Sequence, residues 1–188
     1  MPTATTSGGL LDGDGRPAFP NAAVFVPAAE RDFWLSAKPD LSRMDVEDGF
    51  RTRIIADARR ALEGVRAKLT VVKPGDRIVE GVSLVAAPGH TPGHVAVQVR
   101  GGDGPDETLV HLADAAHHHA LTLAHPEWKC AYDADPDAAA VTRRRLLTEA
   151  AGKRTLLMGY HLPFPALGHV RKAGAGFQWV PAVWKWRP

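Results

Sequence analysis

Apolar residues recur at spacings of three and four from Phe50 through Ile54, Ala58, Leu62 and Val65 to Leu69. That rhythm predicts an amphipathic helix over about 43–67. Ser42 followed by Asp45 resembles a capping box at its start. Gly49 and Gly64 weaken its two ends. Ahead of it, residues 7–21 are dense in Gly, Asp, Pro and Asn and read as loop. "AAVFVP" (22–27) reads as a short strand stopped by Pro27, "AAERDFWL" as a short helix, and 37–41 as a break around Pro39.

Beyond residue 68 the period changes. "LTVV", then "RIVEGVSLVAA" after the turn "KPGD", read as short strands. "HVAVQVR" (94–100) alternates as a half-buried strand should, and "TLVHLA" returns from the turn "GGDGPDE". A second helix is marked at both ends: Asp135 caps, Pro136 takes the first helical position and Gly152 closes it. Leu146, Leu147 and Ala150 form its inward side. "TLLMG" (155–159) is a buried strand, and "HVRKAGAGFQWVP" a closing hairpin turning at Gly174 and Gly176. Helices and strands interleave, which gives an α/β or α+β class. Residues 1–188 form one domain at this length.

The totals narrow the function classes. Apolar residues make up 45% and charged residues 23%, a globular balance. The net charge of +2 argues against a nucleic-acid partner, and the run Arg143–Arg145 reads as a solvated helix face. No apolar run is long enough for a membrane span. The start "MPTATTSGGLL" shows no secretory signal, so a cytoplasmic protein is expected from the sequence as it stands. Cys130 is the single cysteine, which excludes an intrachain disulfide. No G-x-S-x-G is present, which weakens a serine-hydrolase reading; a Cys130 nucleophile would need a partner base.

Candidate chemistry gathers at three strand ends. His90 lies in "APGHTPGH" (87–94), where Gly and Pro fix the backbone before anything binds. Asp114 and His161 each follow another predicted strand. Imidazole and carboxylate together suit zinc, iron or manganese. His94 is read as bonding the turn or orienting His90, and His117 and His118 as lining or rimming a pocket. Trp128, Phe164 and Trp179 are read as core or substrate-wall residues, and His111 as structural.

The blocks "APGHTPGH", "HLADAAHHHA", "DADPDAAAVTRRRLL" and "GYHLPFPALGHVRKAGAGFQWVPAVW" resemble, in order, those of the metallo-β-lactamase superfamily, in the branch of methyl parathion hydrolase and lactonase-like hydrolases. The resemblance implies a four-layer αββα sandwich with a dinuclear site, usually zinc. It implies that His90 binds the first ion, Asp114 bridges both and His161 binds the second. The activity implied is hydrolysis of a small ester, lactone or phosphotriester by a metal-bound hydroxide.

The family's first signature, H-x-H-x-D-H before Gly-Gly, is not found. "SGGL" (7–10) matches its tail, and counting back places the four ligand positions on Met1, Thr3, Thr5 and Thr6. The resemblance thus implies the C-terminal two thirds of the fold, an incomplete sandwich with its first strands missing. Each ion keeps one histidine and the shared Asp114, whereas a catalytic zinc normally takes three protein ligands. Weak or single-site zinc binding and impaired or absent turnover are expected. One ion on His90, Asp114 and His161 together would require the loops to close up. The alternative is a non-catalytic remnant that serves as a binding or homo-oligomeric module, its unpaired sheet edge covered by another chain.

Overall fold

The computed structural model describes residues 7–101 and 108–183, without the side chains of Ser7 and Gly8. A 3-10 turn, Ser7–Leu10, precedes strand β1, Val24–Pro27, and helix α1, Ala28–Leu35. Helix α2 runs Asp48–Gly64 and leads through a short 3-10 turn into β2, Leu69–Val72. Then come β3, Arg77–Val79, β4, Val82–Ala86, β5, Val95–Arg100, and β6, Thr108–His111. Helix α3, Pro136–Lys153, is followed by β7, Leu156–Met158, β8, Leu167–Ala173, and β9, Gly176–Pro181. The mixed α/β class is as the pattern predicts. The predicted turn at 101–107 lies almost wholly outside the described residues, as do Met1, Thr3, Thr5 and Thr6.

Two sheets form among the described residues. β1 and β2 pair in parallel, while β3 to β9 make a seven-stranded sheet in chain order. That sheet is antiparallel except where β6 and β7 run together, joined through α3. The order has a consequence for function. Ala86 pairs with Val95 and Val97 with His111, and His111 pairs with Met158. The C-terminal ends of β4, β6 and β7 therefore meet at one edge of the sheet, and the segments that follow them converge there.

One core lies between this sheet and α3, with Leu112, Leu123, Leu147 and Leu157 almost wholly removed from water. A second cluster joins Trp34 of α1 to Ile54 and Ala58 of α2, with Leu41, Met44 and Ala134. No helix among the described residues is long and apolar enough to cross a membrane.

One helix start differs from the pattern. α2 begins at Asp48, five residues later than expected, and the Ser42–Asp45 capping box does not form. Instead the Ser42 N–H bonds Asp40 Oδ1, and the Asp45 N–H bonds the Ala131 carbonyl. The segment is thereby spent on holding the 130s loop. α3 starts where predicted, with the Asp135 side chain accepting from the N–H groups of Asp137 and Ala138. It ends at Arg154 in the left-handed region rather than at Gly152, which lies inside the helix.

The arginine run also departs from expectation. Arg143 is not on a solvated face; its side chain is 1% exposed. It donates to the carbonyls of Ala115, Pro126 and Trp128 and pairs with Asp133. A guanidinium can be buried only when such partners surround it, and those partners come from loops distant in sequence.

Candidate metal centre

The histidine turn between β4 and β5 is clamped from two sides. Gly89 has φ +132°, and a Cβ there would lie 2.2 Å from the Ala139 nitrogen of α3. A Cβ on Gly93 would lie 2.1 Å from the Glu30 nitrogen of α1. The two glycines let both helix backbones approach the turn. Glu30, buried, then ties it down: its carboxylate accepts from Thr91 Oγ1 (2.6 Å), the Gly93 N–H (3.1 Å) and Trp34 Nε1 (2.7 Å).

This clamp holds His90. Its Nδ1 lies 3.0 Å from Asp133 Oδ1, and Asp133 is wholly buried. The other Asp133 oxygen faces Arg143 at 3.5 Å. With Nδ1 donating to a carboxylate, Nε2 is left as the free donor atom, the arrangement by which carboxylates orient metal-binding imidazoles.

Asp114 sits in a 3-10 turn, Ala113–Ala115, two residues beyond β6, and is 5% exposed. Its backbone N–H donates to His94 Nε2 at 3.2 Å, and the opposite ring nitrogen of His94 donates to the Ala87 carbonyl at 2.8 Å. Neutral His94 thus stitches the end of β4 to the Asp114 turn. Burial pushes its pKa down to about 4, which preserves the neutral form this bridge needs. His161, beyond β7, places Nε2 3.0 Å from Asp114 Oδ1.

His90, Asp114 and His161 all line one cavity of about 320 Å³. His117 and Thr91 share its polar end, while Trp34, Leu41, Met44, Phe50, Ile54 and Tyr132 form an apolar wall. The tight donor group around Asp114 and His161, with atoms within 4.8 Å of one another, takes His117 rather than His90; a second such group joins His90, His117 and Asp133. Burial pushes the His117 pKa down to about 4. Asp114 Oδ2 and both ring nitrogens of His117 are buried without a hydrogen-bond partner among the described residues. Orphaned polar atoms of this kind are rare in folded proteins. Gathered as a carboxylate oxygen and imidazole nitrogens, they fit a divalent cation.

The other candidates lie elsewhere. His118 Nδ1 accepts from the N–H groups of Ala120 and Leu121, closing a local turn outside the cavity. His111 accepts from the Ala113 N–H. Trp179 is in the core, Trp128 stacks on His125, and Phe164 is exposed; none lines the cavity. Burial raises the pKa of the Cys130 thiol, which disfavours its thiolate. Asp133, Arg143 and Glu30 were not singled out by sequence, because each acts through contacts 10–63 residues away in the chain.

No family model and no curated protein matches the chain. Solved structures do. AidC, a dizinc quorum-quenching lactonase solved with the product N-hexanoyl-L-homoserine, superposes with a TM-score of 0.89 at 28% identity, over 96% of this chain and 61% of its own. The hydrolase AbOPH, of the β-lactamase superfamily, gives 0.81 at 29% identity, over 93% of this chain and 60% of its own. The chain has the fold of metallo-β-lactamase superfamily hydrolases. A probable metal-dependent hydrolase from Staphylococcus aureus, 18% identical with a TM-score of 0.69, shares the superfamily fold and covers 94% of this chain with 58% of its own. The chain spans about three fifths of the length of these metallo-β-lactamase relatives.

Proposed function

We propose that this chain carries a metal-dependent hydrolase site, with His90, Asp114 and His161 as metal donors and zinc as the ion. The observation that carries the reading is the orphaned Asp114 Oδ2, buried at the polar end of a cavity that also presents His90 and His161. When bound, zinc would supply a Lewis acid that activates water and polarises the carbonyl or phosphoryl oxygen of an ester, lactone or phosphotriester.

The residues divide the remaining work. Asp133 fixes the ring of His90, and His94 fixes the backbone of Asp114. The wall from Trp34 to Ile54 excludes water and accepts an apolar chain. That combination favours a lactone or ester with an acyl tail, in keeping with the product in AidC.

We further infer that turnover by this chain alone is low, because His90, Asp114 and His161 supply fewer donors than two zinc ions normally need. The donor count also favours a second reading, a module that binds a small apolar ligand without reacting. The deciding experiment follows acid release from an N-acyl homoserine lactone by purified, zinc-loaded protein. Slow zinc-dependent ring opening, lost in Asp114→Asn, supports the hydrolase. Binding of the lactone with no opening above the zinc blank supports the module and overturns the hydrolase.

A further inference from the structure

We infer that His117 is itself a metal donor, completing with Asp114 and His161 a mononuclear two-histidine, one-carboxylate site in this chain. The inference rests on the reading of the cavity as a metal site and deepens it to a single ion, with His117 taking the place beside Asp114 and His161 that His90 would otherwise fill.

Asp114 lies mid-way in the 3-10 turn Ala113–Ala115, and Ala116 then returns to extended backbone at φ −143°, ψ 130°. Thr122 Oγ1 accepts the backbone N–H groups of His117 and His118, at 3.1 and 3.0 Å, and so anchors the segment. The backbone of His117 is thereby fixed while its ring stands in the cavity between those of His90 and His161, at centroid distances of 5.5 and 5.4 Å. A buried imidazole with neither nitrogen paired costs about 1–3 kcal/mol per unmet group. Asp114 Oδ2 faces the same deficit in the same cavity. One cation relieves both.

His117 is within reach of two donor groups, and their chemistry separates them. In the group with His90 and Asp133, the carboxylate is already engaged: one oxygen holds His90 and the other faces buried Arg143. In the group with Asp114 and His161, one carboxylate oxygen is free. Ligands about 2.1 Å from a tetrahedral zinc stand about 3.4 Å apart. Donor atoms already within 4.8 Å of one another need only side-chain adjustments to reach that spacing. Three protein donors leave the fourth position open, as in catalytic zinc sites.

The test uses Co²⁺ alone as the probe, titrated into metal-free protein and followed by its visible absorption. One ion per chain is expected. His117→Ala should weaken binding by about a hundredfold or more, since losing a direct donor costs at least as much as losing a partner that only orients one. In a Cys130→Ser background, His117→Cys should rebind Co²⁺ and show a thiolate-to-cobalt charge-transfer band, a signal that loss of folding cannot produce. Affinity within about twofold of the parent in His117→Ala, or no such band in His117→Cys, overturns the inference. If Asp114→Asn and His161→Ala still weaken binding, only the role of His117 falls. If they too leave it unchanged, the metal-site reading falls with it.

Discussion

His94 offers the sharpest perturbation, because one buried ring joins two loops of the site. Replacing it with Phe keeps the volume and removes both polar ends. The Ala87 carbonyl and the Asp114 N–H then lose the partners they have at 2.8 and 3.2 Å. Each buried group left unpaired costs about 1–3 kcal/mol, so His94→Phe should destabilise the metal-free chain by about 2–6 kcal/mol. Two smaller variants separate the ends. The amide of Gln places an acceptor near the position of Nε2, and that of Asn places a donor near Nδ1. His94→Gln should therefore keep Asp114 in place and retain zinc affinity near that of the parent. His94→Asn should recover stability through Ala87 yet bind zinc more weakly, by about tenfold or more. Urea unfolding gives the stabilities and zinc titration against a competing chelator gives the affinities. Loss of less than about 0.5 kcal/mol in His94→Phe, or equal zinc affinities for the Gln and Asn variants, would refute the bridging role.

Four further outcomes follow from named residues. The folded pKa of His94 lies at about 4, below its ordinary 6.5. Through His94 alone the metal-free chain should thus lose about 3 kcal/mol as pH falls from 6.5 to 4, where the unfolded state takes up a proton that the fold refuses, and His117 adds a loss of the same sign; urea midpoints across that range in His94→Phe should lack the His94 component. Arg143→Met strands the wholly buried Asp133 without its cation and should cost about 3–5 kcal/mol, read as a thermal shift, with Asp133→Asn added in the same chain recovering part of it. Gly93→Ala drives a Cβ into the α1 backbone and should destabilise by about 2–3 kcal/mol. Gly152→Ala, in open space inside α3, should stabilise by about 0.5–1 kcal/mol in the same unfolding assay.

Local signals were legible in the sequence where local physics decides. The three-and-four spacing located the buried face of α2, and Asp135 with Pro136 located the start of α3. Period-two alternation located β5. What tertiary contacts decide was not legible. Ser42 and Asp45 match a capping pattern, but the Ala131 carbonyl takes the Asp45 N–H and the helix starts later. Arg143 sits in a charged run that reads as surface, yet carbonyls from the 115–128 region enclose it. The positions of His90, Asp114 and His161 at strand ends foretold that they share one cavity. Which of them shares a tight donor group depends on the tilt of loops, and there His117 rather than His90 stands with Asp114 and His161. Asp133, the partner of His90, lies 43 residues away in the chain, and no spacing rule reaches that far.

The most direct measurement is anomalous diffraction at the zinc absorption edge from crystals of the zinc-loaded chain. One strong peak is expected within coordination distance of Asp114 Oδ2 and the His161 ring. Zinc found only at other side chains, with the Asp114 carboxylate bare, would contradict it.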